Sequence, residues 1–306
     1  MNSDIELIGC GQGAAHRLDQ AARWLSGFEG RFSRFNPASE LSRLNAAAGR
    51  PVQVSPGLLR LVQLSLRLAE RSGGIFDPMV LRALEEAGYD RSFAELGSEG
   101  LVRDGDPVLR TDLARPTWRA VQVDSGTRTI TLPAGSGLDL GGIGKGWAAD
   151  RLAAIIRTPC LDNAGGDVHV GGKPEDRDGW LVGVEDPFEP DRDLLVLSLS
   201  DRGVATSSSL RRRWIQEARW RHHLIDPRRG GPSTSDAVQV TVIAPDTTAA
   251  DYHAKVALLL GAAAGRRYLN REPGVEGLIV AADRSFCFSD AFESYVVHPG
   301  AATTVA

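Results

Sequence analysis

An α+β fold is the class this sequence predicts, on three observations. Helix-type and strand-type patterns do not alternate regularly, as a parallel βαβ sheet would require. The N-terminal third carries helical runs with capping residues at their starts. The middle and C-terminal stretches carry short apolar runs bounded by turn residues, the mark of strands.

The chain has 306 residues, 42% hydrophobic and 24% charged, enough for a sizeable core. Its net charge of −4 makes nucleic acid and anionic membrane poor partners. A phosphate-bearing ligand must therefore be met by a local positive site. Only three of the 35 basic residues are lysines, Lys145, Lys173 and Lys255. Cys10, Cys160 and Cys287 form neither a CxxC metal site nor a disulfide framework and read as small packed hydrophobes. Leu7-Ile8-Gly9-Cys10 mimics a lipoprotein cleavage box, but Asp4 and Glu6 stand where a basic region and an apolar core are needed. No apolar run approaches the ~20 residues of a membrane helix, so the expectation is a cytoplasmic protein without membrane insertion.

In chain order, residues 5–8 read as a short strand and 14–28 as a helix. Ser55-Pro56 opens the clearest helix, with serine as N-cap and proline in the first turn. Its apolar positions include Leu58, Leu61, Val62, Leu64 and Leu68, and Gly73-Gly74 stops it. Asp77-Pro78 repeats the opening signal for a helix to about Ala87. Residues 120–123 and 129–132 read as a hairpin. A short strand at 138–140 runs into Gly141-Gly142-Ile143-Gly144-Lys145-Gly146, followed by a helix over 147–157. Strands follow at 180–184, 194–199, 220–225 and 238–243. Thr247 or Thr248 caps a helix that ends at Gly261, and strands at 277–281 and 286–288 come last. The order supports α+β.

Several motifs each have a plain structural reading beside a functional one. Gly9-Cys10-Gly11-Gln12-Gly13-Ala14 fits the dinucleotide fingerprint, but the second strand with its acidic end is missing, so a strand-to-helix turn is expected. The glycine turn ending in Lys145 suits backbone amides facing phosphate, or a tight turn only. It lacks P-loop spacing. Asn163-Ala164-Gly165-Gly166-Asp167 allows close backbone approach, or is a β-turn. His223-Leu224-Ile225-Asp226-Pro227 can present a base and a carboxylate at one rim, or merely ends a strand. Asp251 and Lys255 share a helix face at i and i+4, which is at least an ion pair.

Together, in one order, the segments FSRFNPASELSRLN, GIFDP, LDLGGIGKGWAAD, NAGGD, GVATSSS, HLIDPRRG and AD-x-x-x-K-x-x-x-x-x-G resemble the FAD:protein FMN transferase (ApbE) family. The matching segments run from about Arg31 to Gly261. The resemblance implies a single α+β domain with a T-fold-like core over residues 1–298, with 299–306 as a flexible tail. It implies transfer of FMN from FAD, through a phosphodiester, to a Ser/Thr hydroxyl of an acceptor protein, with AMP leaving. The alternatives are a non-catalytic FAD-binding member, or an FAD hydrolase giving FMN and AMP.

Carried over by position, the resemblance places Ser39, Glu40 and Asn45 in a first flavin-contacting segment and Asp77 in a second. Phe35, at or beside a tyrosine position, offers an aromatic face. Asp139, Gly141, Gly142 and Lys145 serve the diphosphate region, and Thr206 and Lys255 also face the cofactor. The carbonyl of Ala164 and the carboxylate of Asp251 match ligands of a magnesium ion. His223 and Asp226 stand beside the reacting phosphate as catalytic candidates. Two positions depart from the pattern. Lys255 stands where the family usually has a metal-ligating threonine. Ser208 stands where Thr-Ser-Gly is frequent.

Overall fold

The computed structural model describes residues 5–96, 116–157 and 159–297. In chain order these form strand β1 (Ile5–Gly9), helices α1 (Ala14–Phe32) and α2 (Glu40–Ala46), β2 (Pro51–Gln53), α3 (Pro56–Arg71) and α4 (Leu81–Glu86). Next come β3 (Gln122–Asp124), β4 (Thr129–Thr131), α5 (Gly144–Ile156), β5 (Cys160–Ala164), β6 (Val168–Gly171), β7 (Trp180–Glu185), β8 (Asp193–Leu199) and β9 (Arg202–Ser208). The chain continues with β10 (Arg213–Gln216), β11 (Arg219–His222), β12 (Ile225–Asp226), β13 (Gly231–Pro232), β14 (Ala237–Ala244), α6 (Thr247–Leu260), α7 (Ala262–Leu269), β15 (Glu276–Ala281), β16 (Phe286–Phe288) and β17 (Val296–Val297). The α+β class expected from the sequence is the class observed. The expected tail at 299–306 lies outside the described residues.

The described residues gather into two compact units. One holds 26–96, 116–144 and 209–234; the other holds 5–25, 145–157, 159–208 and 235–297. The first contains the small sheet β2-β4-β3 and the pairs β10-β11 and β12-β13. Two of its helices, α2 and α3, start where a side chain accepts from an otherwise unpaired first-turn amide. Ser39 accepts from the Ser42 amide and Ser55 from the Leu58 amide. Ala83, Leu84, Ala87, Tyr89, Trp214 and Ile225 form one of its buried clusters.

The second unit is built on a seven-stranded sheet ordered β1-β5-β6-β9-β14-β15-β16, antiparallel at every pairing. α6 packs on β9 and β14. Ala21 of α1 and Leu152, Ala153 and Ile156 of α5 form a core cluster with Cys160 of β5. The turn after β1 is no dinucleotide site, because β1 pairs antiparallel with β5 rather than lying in a βαβ unit. Instead Arg17 fills it, donating to the carbonyls of Gln12, Cys10 and Ile156. Among the described residues no helix is long and apolar enough to cross a membrane.

Four local expectations are corrected. Residues 138–140 are not a strand, because their hydrogen bonds go elsewhere: Asn45 Nδ2 donates to the Leu138 carbonyl and its Oδ1 accepts from the Leu138 amide, while the Asp139 amide bonds the Pro78 carbonyl. The strand expected over 220–225 is broken between His222 and Ile225. There the Leu224 amide donates to His222 Nδ1 rather than to a neighbouring strand. The helix opened by Asp77 divides into a 3-10 turn (Pro78–Val80) and α4. The N-cap of α6 is Asp246, which accepts from the Ala249 amide, not Thr247 or Thr248.

Candidate functional site

The expected site residues fall into two groups, one in each unit. In the first unit Arg34 is the organising residue. Its Nε meets Asp139 Oδ2 at 2.7 Å, and its Nη1 donates to the Tyr89 carbonyl at 2.8 Å. The guanidinium lies over the rings of Phe35 (4.1 Å) and Tyr89 (4.5 Å), a cation–π arrangement that holds a largely desolvated charge. Asp139 Oδ1 accepts from the Gly141 amide at 2.9 Å and so sets the start of the glycine turn. Phe35, Asp139 and Gly141 are thus joined through Arg34, a residue to which the sequence pattern assigned no role.

The other acidic and polar candidates of this unit hold backbone. Glu40 accepts from the Ser55 amide and hydroxyl and pairs with Arg31. Asp77 clamps two segments, taking the Met79 amide on one oxygen (2.8 Å) and the Trp118 amide on the other (3.2 Å). Burial pushes the Asp77 carboxyl up, against those two amides.

At the β11–β12 break, His222 Nε2 donates to the Ser233 carbonyl at 2.9 Å while Nδ1 accepts from Leu224. Those two bonds fix a neutral tautomer, and desolvation lowers its pKa further. His222 therefore anchors the turn that presents His223, the next residue. Asp226 is buried and receives Arg228 in a fork, Nε to Oδ1 at 2.9 Å and Nη2 to Oδ2 at 2.8 Å, plus the Arg228 amide. Such a carboxylate is held in one orientation by three donors.

In the second unit the start of α5 meets the start of α6. A Cβ at Gly146 would lie 2.5 Å from the Thr247 carbonyl oxygen and 3.0 Å from Asp251 Cβ, so only glycine permits this approach. A Cβ at Gly203, on β9, would collide with the Asp246–Thr247 backbone. Asp150 reaches from α5 to the first amides of α6, accepting from Thr247 (2.8 Å) and Thr248 (2.9 Å), with His169 Nδ1 at 3.3 Å. Desolvation would raise the Asp150 carboxyl, but the His169 and Thr248 bonds and the two amides outweigh it and hold it low.

Four charges gather here. Lys145 Nζ pairs with Asp167 Oδ2 at 2.6 Å, and Asp167 is only 1% exposed. Asp251, 5% exposed, accepts from the Gly146 amide at 3.4 Å. Burial and the Asp167 carboxylate push Asp251 up and outweigh the Lys255 and Lys145 ammonium groups and the Gly146 amide, which pull it down. The Asn163–Asp167 turn is tied to this cluster. Gly166 donates to Asn163 Oδ1, and the Ala164 amide to the Asp167 carbonyl, with Gly165 and Gly166 at φ 70° and 94°. Thr206 and Thr241 face each other across β9 and β14, their hydroxyls 2.8 Å apart.

The structure thus joins Ala164 and Lys145 to Asp167, whose carboxylate also acts on Asp251; Lys255 follows Asp251 one turn along α6. Asp167, Asp150, Arg34 and His222 are the residues that position the sites and that sequence reasoning left without a role. All four stand inside or beside the matching segments, but nothing local marks their partners.

The family model described as the ApbE family matches residues 1–279. A protein named FAD:protein FMN transferase from Treponema pallidum (strain Nichols) is 33% identical over 268 residues, 80% of this chain and 72% of that one. The ApbE protein of Thermotoga maritima shares the fold with a TM-score of 0.82 at 24% identity, covering 96% of each chain. Flavin Transferase ApbE from Vibrio cholerae does so with a TM-score of 0.78 at 22% identity, again over 96% of each chain. The order of motifs, the fold and the extent of these matches lead to one conclusion: this chain belongs to the ApbE family.

Proposed function

We propose that this protein is an FAD:protein FMN transferase, attaching FMN to a serine or threonine hydroxyl of an acceptor protein. The observation that carries the reading is its similarity, over 80% of its length, to a relative of that name. The acceptor oxygen attacks the FMN-side phosphorus of FAD. A P–O bond forms, the bond to the AMP phosphate breaks, and AMP leaves with the electron pair. Catalysis of this kind is mainly positioning and neutralisation of developing charge.

Of the two catalytic candidates, His223 is the group to take the hydroxyl proton. Asp226 is committed to Arg228 and acts as a positioning residue. The glycine turn 141–144 and the start of α5 supply amides for the diphosphate. Phe35 and the 39–45 segment serve the flavin end. The magnesium shell that the resemblance implies, from the Ala164 carbonyl, Asp251 and a threonine, does not fit these residues. Position 255 holds an ammonium group, which has donors only and cannot ligate a cation. No step of the reaction is routed through a metal here.

Incubating the protein with FAD and a cell extract tests the reading. In-gel flavin fluorescence on a protein band, with matching AMP release, is expected. AMP with free FMN instead would make it a hydrolase, and intact bound FAD a carrier. His223→Ala is expected to lower turnover about 10²–10⁴-fold while leaving the FAD dissociation constant nearly unchanged. Full activity would make His223 only the end of a strand.

A further inference from the structure

We infer that the β10–β11 ribbon is the surface on which the acceptor protein docks, through an acidic segment of that protein. This rests on the transferase reading and gives the acceptor a chemistry.

Charge singles out the ribbon. Residues 211–222 carry five arginines (Arg211, Arg212, Arg213, Arg219 and Arg221) against one acid, Glu217, a sum of +4. The whole chain is −4, so the rest of it sums to −8. The basic field is therefore local to this hairpin.

The pairing decides which side chains face outward. β10 and β11 run antiparallel, with Trp214 opposite Arg221 and Ile215 opposite Trp220. Opposed residues share a face and successive ones alternate. One face packs on the end of α4. There Trp214 is buried and its Nε1 donates to the Ala87 carbonyl at 2.7 Å, while Gln216 Nε2 donates to the Glu86 carbonyl at 3.2 Å. The other face carries Arg213, Ile215, Trp220 and His222. Arg213 is exposed, and so is Trp220, at 42%. The Arg213 guanidinium lies 4.3 Å from the Trp220 ring centroid. Such stacking uses the face of the guanidinium and leaves its in-plane N–H groups to fork a carboxylate. The turn keeps the ribbon in shape. Glu217 and Ala218, at φ 50° and 60°, take the positive values of a type I′ turn, which matches the twist of paired strands.

The ribbon also leads to the chemistry. Its last residue, His222, donates to the Ser233 carbonyl and accepts from the Leu224 amide, and His223, the proposed proton acceptor, follows it. A segment seated on Arg213 and Trp220 is thus held by the hairpin that ends at that turn. Tryptophan and arginine are the residue types that dominate binding at protein interfaces. The acidic remainder of the chain selects the partner. Duplex nucleic acid carries a charge every ~1.7 Å and runs past the ribbon into repulsion. A short acidic segment meets the ribbon alone, because screening limits the field to about 10 Å.

The test has two arms, both on the full chain. In the first, a fluorescein-labelled Glu–Ser repeat peptide is titrated by anisotropy. The unaltered protein is expected to bind it, more weakly as salt rises. Arg213→Glu combined with Trp220→Ala is expected to weaken binding about 10- to 100-fold, through two lost contacts and one added repulsion. Arg60→Glu combined with Arg67→Glu, at exposed positions of α3, changes net charge more and is expected to bind as the unaltered protein does. In the second arm, FAD and a cell extract are added. The ribbon variant is expected to flavinylate protein bands about 10-fold more slowly, with an unchanged FAD dissociation constant. If the ribbon variant unfolds at lower urea, Arg213→Gln, which keeps Trp220, replaces it, with a smaller loss of the same sign expected. No peptide binding by the unaltered protein, equal affinity in the ribbon and α3 variants, or undiminished flavinylation by the ribbon variant overturns the inference and leaves the transferase reading standing. Preference for poly(U) or for phosphatidylserine vesicles, lost in the ribbon variant, assigns the surface to another partner and overturns it too. AMP and free FMN, with no flavinylated band from the unaltered protein, overturn the transferase reading and the acceptor assignment with it.

Discussion

Asp251 and Asp162 are both buried aspartates of the second unit, each pushed up by burial and by a neighbouring carboxylate, and they differ in the groups that oppose that push. Asp251 sits at the start of a helix, beside a backbone amide, with two ammonium groups acting on it. Asp162 lies on β5 at 0% exposure, and neither carboxylate oxygen meets a hydrogen-bond donor among the described residues. Burial, with the Asp150 charge added, pushes Asp162 up to about 9. The pair shows that burying a carboxylate does not by itself make a site. Asp251, still above the usual carboxylate range, is opposed by ammonium groups from α5 and α6 and by the Gly146 amide. Asp162 is accommodated only as the neutral acid, at the expense of stability whenever it ionises.

The largest expected effect breaks the comparison at Asp162. An unfolded aspartate titrates near 3.9, and the folded one near 9. Between those values the folded state holds one proton more than the unfolded state. Stability therefore falls as pH rises across this window, by at most about 1.4 kcal/mol per pH unit from this group. Below the window both states are protonated, and above it both are ionised, so the slope from this group vanishes. Asp162→Asn is expected to flatten the dependence. Urea unfolding of both proteins at pH 5.5, 7 and 8.5 measures it. Parallel stability curves for the two would mean that Asp162 finds a partner in solution.

The next effect sharpens the comparison by turning a matched carboxylate into an unmatched one. Lys145→Ala leaves Asp167 buried without its ammonium and is expected to cost about 3 kcal/mol, the lower part of the range for breaking a buried pair, because Lys145 is 18% exposed. Asp167→Asn in the same chain is expected to restore most of that stability, though not FAD affinity. A double-mutant cycle by thermal unfolding reads the coupling. Additive losses would dissolve the cluster into independent residues.

The smallest effect concerns the backbone approach that makes the cluster possible. Gly146→Ala is expected to destabilise by about 1–3 kcal/mol, since the added carbon meets Thr247 backbone rather than a flexible chain end. FAD binding is expected to weaken along with stability. Gly27→Ala, on α1 and with open space around the added carbon, serves as the control. Equal behaviour of the two variants would show that the approach of α5 to α6 is not what holds Asp251.

Much of the molecule was legible because its signals are local. The Ser55-Pro56 helix start, the Gly73-Gly74 stop and the strand at Phe286–Phe288 all depend on neighbours within a few residues. So does the helical placement of Asp251 and Lys255 on one face. The central strands β5, β6 and β9 were not foreseen. β9 is buried at most positions on both faces, so its sequence shows no alternation. β5 carries Asp162 and Asn163, which read as turn residues until a sheet covers them.

The sequence by itself determined the class of fold, the family, the glycine turns and the presence of a lysine one turn beyond Asp251. Each of these is written in residue type and spacing. Tertiary structure alone decided the partners: Asn45 bonded to Leu138, Arg34 to Asp139, Asp150 to the start of α6, and Lys145 to Asp167. These contacts join residues 22 to 105 positions apart, counting Gly146 on Asp251 with them. Hydrogen bonds and ion pairs act over a few ångströms, whatever the distance along the chain. Only the folded backbone, brought close by glycines where a Cβ would collide, can say which charges meet.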